Sequence, residues 1–274
     1  MKYDVIVIGA GLAGLTAAAR AREKGKSVLL LATGPGTVSI SSGCIDLLGY
    51  QPGDKVYFTP EPWSAIGTIM DELPRHPYRL VGRDHIQGAL ELLLKVCRES
   101  NNPYLAGRTR ARENFLLPTA IGTIKPTYLV PETIAQGDIT SGGDVMIVGF
   151  KELKDFFPHY LVDNLNATLA RFGYPGRYHG VTIELGVSGN RDLTAYDLAR
   201  LLETEEWREK IVRKILSSGK GFTRVGFPAT LGLDRPLEVQ KDLESRLGCS
   251  VFEIPTLPPS VPGLRLYEAF IRYL

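Results

Sequence analysis

Three cysteines in 274 residues (Cys44, Cys97 and Cys249) are too few and too far apart for a disulfide framework. No CxxC or CxxH spacing offers an iron–sulfur cluster or a structural zinc site. Such sparse use suits a reducing cytoplasm. The four histidines, His76, His85, His159 and His179, are scattered, none pairs with another at ligand spacing, and no metal is expected. An excess of one charge is also missing: 32 Lys+Arg against 30 Asp+Glu leave a net charge of +2, which gives no electrostatic case for nucleic acid. The short run Arg108, Arg110 and Arg112 beside Gly107 reads first as a solvated loop, with contact to a partner subunit or an anionic ligand as the second reading. No apolar stretch approaches bilayer-spanning length, and Asp4 and the glycines after Ile8 break up the only candidate signal core.

What remains has the composition of a folded protein. Hydrophobic residues at 44% and charged residues at 23% exclude disordered and fibrous classes. The length suits about two domains.

Tyr3 to Ile8 is β-branched and apolar and ends at glycine, as a buried parallel strand should. Leu12 to Lys24 is alanine-rich and helical, with Gly25 as its stop, and Ser27 to Leu31 is a second buried strand. Between the first strand and the helix stands Gly9-Ala10-Gly11-Leu12-Ala13-Gly14. This GxGxxG spacing has a mechanism in that context. The first glycine makes the tight turn, the second lets backbone approach a phosphate, and the third brings helix and strand together. The helix N-terminus then offers unsatisfied N–H groups to the anion. An Asp or Glu for an adenosine ribose belongs at the end of the second strand. Here the residues are Leu30-Leu31-Ala32-Thr33, with Ala32 where the acid would stand. An adenine dinucleotide has other contacts open to it, but a cofactor without adenosine becomes credible, and FMN, a flavin with one phosphate, has that shape.

Ser39-Ile40-Ser41-Ser42-Gly43 follows, small and hydroxylic enough to lie against a flat ring. Cys44 beside it has no identifiable base and reads as a packing residue. Lys125, Arg191 and Arg265 could each meet an anionic group, but single cations are usually solvated or in surface ion pairs. No Ser-His-Asp set or carboxylate pair is present, and the sequence names no catalytic acid or base.

Cys44 to Tyr78 is turn-rich with few periodic runs, and Arg83 to Ser100 is a helix with a stripe at Ile86, Leu90, Leu93 and Leu94. Residues 114–135 read as short antiparallel strands broken by Pro118, Pro126 and Pro131. From Asp144, strands near 145–148, 180–185, 222–227 and 250–254 alternate with helices near 155–172, 195–217 and 236–247. That alternation implies parallel pairing through crossovers. Pro255 to Gly263 is too proline-rich to be helical and leads to a closing helix, Leu264 to Leu274. The expected fold class is α/β, with a Rossmann-like FAD/NAD(P)-binding β-α-β unit and a second α/β domain built on a mostly parallel sheet. The expected division is 1–143 as the flavin nucleotide-binding portion, 144–255 as an inserted α/β domain, and 256–274 as a proline-rich connector and helix returning to the first.

Four stretches together carry a resemblance: Gly9 to Gly14, Ser41-Ser42-Gly43-Cys44-Ile45-Asp46-Leu47-Leu48, His76 to Gly82, and Ile254 to Leu266 with its proline block. Over essentially the whole chain they resemble the B-subunit family of the anaerobic glycerol-3-phosphate dehydrogenases. The resemblance implies an FMN-bearing flavoprotein that acts with an FAD-bearing catalytic A-subunit to oxidise sn-glycerol 3-phosphate to dihydroxyacetone phosphate. It also implies electron transfer through a membrane-associated iron–sulfur C-subunit to the quinone pool, in a cytoplasmic complex peripheral to the inner membrane. On this sequence the resemblance assigns Gly9, Gly11 and Gly14 to the phosphate, with Ala10, Leu12 and Ala13 in the same turn. Thr33, Ser41, Ser42 and Gly43 become cofactor neighbours. Family members continue beyond Leu274, so the chain is expected to be a truncated product. A fumarate-reductase-like flavoprotein dehydrogenase and a non-catalytic scaffold that keeps the nucleotide-binding shape remain as alternatives.

Overall fold

A computed structural model describes residues 2–50, 58–108, 112–187 and 192–274, so Arg110 and Arg191 lie outside the described residues. The first part of the chain runs β1 (Val5–Ile8), α1 (Leu12–Glu23), β2 (Val28–Leu31), α2 (Pro62–Glu72), α3 (Pro77–Val81) and α4 (Arg83–Glu99). Short elements follow: β3 (Tyr104–Ala106), β4 (Phe115–Pro118), β5 (Ile124–Thr127), β6 (Leu129–Pro131) and α5 (Glu132–Ala135). The rest is β7 (Asp144–Phe150), α6 (Pro158–Phe172), β8 (Arg177–Ile183), α7 (Ala195–Leu202), α8 (Glu205–Ser218), β9 (Arg224–Pro228), α9 (Pro236–Leu247), β10 (Ser250–Ile254) and α10 (Val261–Tyr273). The class is α/β, a β-α-β unit at the N-terminus followed by a parallel sheet.

Two compact units divide the chain. One comprises Met1–Asn114, Pro126–Val130 and Gly263–Leu274; the other comprises Phe115–Lys125 and Pro131–Pro262. Boundaries at 143 and 255 do not coincide with this division. Contacts inside the second unit give the reason. Gly122, in the β4–β5 turn, is so close to α6 that a Cβ there would stand 2.3 Å from the Leu161 carbonyl oxygen, and α5 packs on β10.

In the first unit, β1 and β2 pair in parallel, Val5 opposite Val28 and Ile8 opposite Leu31. The start of the pair is clamped by side chains: the Ser27 N–H and Oγ each donate to Asp4 Oδ2 at 2.8 Å. These bonds hold the Asp4 carboxyl below its ordinary range. Helix α1 buries Leu15, Ala18 and Ala19 and closes where the Gly25 N–H donates to the Arg22 carbonyl at 2.8 Å. The expectation of fully buried strands needs correction. Ile6 is 59% and Ile8 84% exposed, because α1 packs on one face of the pair and these side chains alternate to the other.

Two further corrections concern helices. The turn-rich reading of Cys44 to Tyr78 missed α2, which starts with Pro62 in its first turn and buries Ile66 and Ile69 on one face. The proline block was expected to exclude helix through Gly263, yet α10 begins at Val261. Pro262 is its second residue, where an absent N–H costs nothing because no intrahelical acceptor exists for it. The core of this unit joins Leu15 and Ala19 of α1, Leu93, Val96 and Cys97 of α4, and Phe270 of α10.

The second unit is built on a four-stranded sheet in the order β10-β9-β7-β8, with every pair parallel. From Val145 to Phe150 all of β7 is buried, as a strand with layers on both faces must be. Arg224 at the start of β9 is 5% exposed. Its guanidinium donates to the carbonyls of Gln136, Asp138 and Gly142 at 2.7, 2.9 and 2.6 Å, holding the loop before β7. At the start of α7 a capping box forms: the Asp197 N–H donates to Thr194 Oγ1 at 3.2 Å and the Thr194 N–H to Asp197 Oδ2 at 3.0 Å. Thr194→Ala is expected to lower unfolding stability by about 1 kcal/mol, read as a shift of the urea midpoint at unchanged slope.

Candidate functional site

The residues from Gly9 to Gly14 join β1 to α1. Gly9 has φ +102°, a conformation that L side chains rarely adopt. Its N–H donates to the Leu31 carbonyl at 2.8 Å, so the turn is anchored to the end of β2. Gly11 is the residue before α1, in extended backbone at φ −73° and ψ 171°, with no side-chain cap for the helix. A Cβ on Gly11 would meet no atom within 4 Å, whereas one on Gly14 would stand 1.9 Å from the Gly9 carbonyl oxygen. The two glycines therefore serve different ends. Gly14 lets helix and turn touch, and Gly11 leaves room outside the turn.

That room faces a helix N-terminus of the right electrostatics. The first turn of α1 contains no acidic residue, and its last turn carries Arg20 and Arg22, which leaves the positive end of the helix dipole uncompensated. Ala10 is buried, Gly11, Leu12 and Gly14 are half-buried, and Ala13 is exposed. The donor set and the free space fit a phosphate held by backbone N–H groups.

The loop after β2 lies against this turn: a Cβ on Gly36 would approach Gly11 Cα to 3.1 Å. Ala32 and Thr33 are exposed at its start. Ser41 and Ser42, expected beside a ring, use their hydroxyls to shape the loop. Ser41 Oγ donates to the Val38 carbonyl at 2.8 Å and accepts from the Gly43 N–H at 3.3 Å, and Ser42 Oγ accepts from the Cys44 N–H at 3.3 Å. Such bonds fix the backbone of a short polar segment.

Two residues that sequence reasoning left out of the site, Tyr104 and Gly263, converge on the loop. Tyr104 Oη, in a phenol 6% exposed, donates to the Gly43 carbonyl at 2.7 Å. Burial, with smaller contributions from Cys97 and Cys44, pushes this phenol well above its ordinary pKa, and Arg265 opposes the shift. It stays a donor. Gly263 packs onto the loop so closely that a Cβ there would stand 2.3 Å from the Val38 carbonyl oxygen and 2.7 Å from that of Ser41. Arg265, read from sequence as a cation of the kind usually solvated, is only 4% exposed. Only the Pro-Gly pair in the proline block signalled a close approach.

Cys97 lies in the core below, and burial pushes its thiol up to about 12. With so little thiolate near neutral pH, alkylation by iodoacetamide is expected at Cys97 only after the chain is unfolded; peptide mapping by mass, with and without urea, checks this. Among the described residues there is no group of three or more His, Cys, Asp or Glu that could hold a metal. No helix among them is long and apolar enough to cross a membrane.

Curated relatives match nearly the whole chain. A Halobacterium salinarum protein, named as the probable B-subunit of anaerobic glycerol-3-phosphate dehydrogenase, is 35% identical over 98% of this chain and 62% of its own length. Proteins named as the B-subunit of anaerobic glycerol-3-phosphate dehydrogenase from Vibrio cholerae and Pectobacterium atrosepticum are 32% and 30% identical, over 99% and 98% of this chain and 62% and 63% of theirs. The chain thus spans about 62% of the length of the first of these relatives. The matching family model is described as an FAD binding domain, which supports the flavin class expected from the sequence, and FAD specifically, and does not support the preference for FMN. Across residues 4–273 the chain belongs to this family of FAD binding domains.

Proposed function

We propose that the chain is the flavin-holding part of the B-subunit of a respiratory glycerol-3-phosphate dehydrogenase. In this reading it acts in a complex with an FAD-bearing catalytic A-subunit and a membrane-associated iron–sulfur C-subunit, oxidising sn-glycerol 3-phosphate to dihydroxyacetone phosphate with electrons delivered to quinone. The observation that carries the reading is the match over 98% of the chain to proteins of that name, and the open Gly11 turn supports it. A bound flavin would supply the two-electron acceptor chemistry. The chain's own part is to hold the phosphate on the N–H groups that open α1 and to fix the loop from Ser39 to Gly43 as a rigid wall. Gly9, Ala10, Gly11, Leu12, Ala13, Gly14, Thr33, Ser41, Ser42 and Gly43 are the proposed cofactor residues.

Within the flavin class, one observation favours FMN. Ala32 at the end of β2 is exposed and offers no carboxylate to an adenosine ribose. Heat release of the cofactor from the purified protein, followed by chromatography, decides: FMN or FAD in the supernatant identifies the flavin, and a colourless, cofactor-free protein overturns the reading. Turnover of the reconstituted complex with glycerol 3-phosphate and a dye acceptor tests the substrate. Activity on dicarboxylates with none on glycerol 3-phosphate would replace it with a fumarate-reductase-like function.

A further inference from the structure

We propose that the recess at the carboxyl end of β7 and the opening turn of α6 is a docking site for an acidic segment of a partner protein that inserts one large apolar side chain. Every residue of the site lies in the second unit, so its occupancy is separate from flavin binding. Helix α6 seats itself on the sheet through Pro158, Leu161, Val162 and Leu165, all buried. Two strand glycines let it come close: a Cβ on Gly149 would stand 2.6 Å from Pro158 Cδ, and one on Gly180 2.9 Å from the His159 nitrogen. The helix so anchored turns Phe157 and Tyr160 outward, where they are 62% and 58% exposed. The β4–β5 turn packs on the same helix, where Asn164 Nδ2 donates to the Ile121 carbonyl at 2.9 Å, and adds the exposed Ile121 side chain. Phe157 and Tyr160 also line a recess of about 710 Å³ whose lining includes the buried Phe150, Leu153 and Phe156. A small ligand would need only the recess; apolar surface that continues past its mouth suits a protein partner.

Charge selects the partner. The recess is lined by Lys151, Lys154 and His159 but by no carboxylate. Glu152, between the two lysines, accepts instead from the Leu185 and Gly186 N–H groups, each at 2.9 Å. Lys151 pairs with Glu184 at 3.1 Å and Lys154 with Asp192 at 3.8 Å, yet all four side chains are more than half exposed. Such exposed pairs contribute little and can be exchanged for a partner's carboxylates. Two copies meeting on this face about a two-fold axis would set lysine against lysine. A lipid surface calls for a cluster of about four to eight cations and offers no single anchor for a recess.

A display library of random peptides, selected on the full chain and counter-selected on Phe157→Asp, tests this. Recovered peptides are expected to carry a large apolar residue flanked by Asp or Glu. Their affinity, measured by fluorescence anisotropy, should fall about tenfold or more in Phe157→Ala, as for the truncation of an interface anchor. Lys151→Glu combined with Lys154→Glu should weaken binding by a similar factor and reduce its salt dependence. All these side chains are exposed, so the variants should melt with wild type, and Tyr160→Ala serves as a second probe of the apolar contact. The proposal is overturned by a selection that returns no binders, by binders without acidic residues, or by unchanged affinity in folded Phe157→Ala and Tyr160→Ala. It is equally overturned if wild type dimerises through Phe157 in sedimentation velocity, or binds phosphatidylcholine–phosphatidylglycerol vesicles through it, since either result gives the face another occupant.

Discussion

Gly14→Ala is expected to lower the stability of the chain by about 2 kcal/mol or more, even though alanine is the better helix former. On propensity alone the change would add about 1 kcal/mol in a helix interior. Against that stands a methyl group 1.9 Å from the Gly9 carbonyl oxygen, 3.0 Å from the Gly9 carbonyl carbon and 3.4 Å from Val7 Cγ1. The nearest of these atoms is backbone, so no side-chain rotation relieves the overlap. Either α1 moves off the turn or the Gly9 peptide rotates, and the second would disturb the bond from the Gly9 N–H to the Leu31 carbonyl. Overpacking of this kind typically costs about 1–3 kcal/mol and occasionally more. The sign of the shift is therefore the diagnostic quantity. A urea midpoint at or above that of wild type, with an unchanged slope, would show that helix and turn do not touch as described.

Local and distant packing also separate what could be read from the residues from what could not. Helix α9 and strand β10 lie where the sequence placed them, because Pro236 opens the helix and Gly248 follows it, local signals that do not depend on distant packing. The glycine turn was legible for the same reason. By contrast, the exposure of Ile6 and Ile8 depends on what covers the second face of the sheet, and an apolar strand looks alike whether one face or two are packed. The first turn of α10 escaped because proline opposes helix in the interior but is tolerated at the start, and composition alone does not say which applies. The close approach of Gly263 to a loop more than two hundred residues away in sequence, and the burial of Arg265, were not foreseen, because neither a glycine nor a solitary arginine carries a mark of distant packing. Ser41 and Ser42 were expected to face a ring, and their hydroxyl bonds to the loop backbone were not foreseen.

Gly11→Val isolates the cofactor from the fold. The Gly11 backbone, at φ −73° and ψ 171°, is open to any residue and congenial to a β-branched one. A Cβ there would meet nothing within 4 Å. Protein stability should therefore stay within about 0.5 kcal/mol of wild type, as for a substitution that touches nothing. The space that valine enters is the space proposed for the phosphate. A side chain there blocks the anion from the N–H groups at the start of α1, and losing two charge-assisted hydrogen bonds at about 1.5 kcal/mol each amounts to about 3 kcal/mol, or roughly a hundredfold in flavin affinity. Flavin titration by fluorescence quenching measures the affinity, and urea unfolding of the flavin-free proteins measures the fold. Gly14→Ala should lose both, because it displaces the helix that supplies the donors. Gly11→Val should lose only the first, and a variant that binds flavin as tightly as wild type would place the phosphate elsewhere.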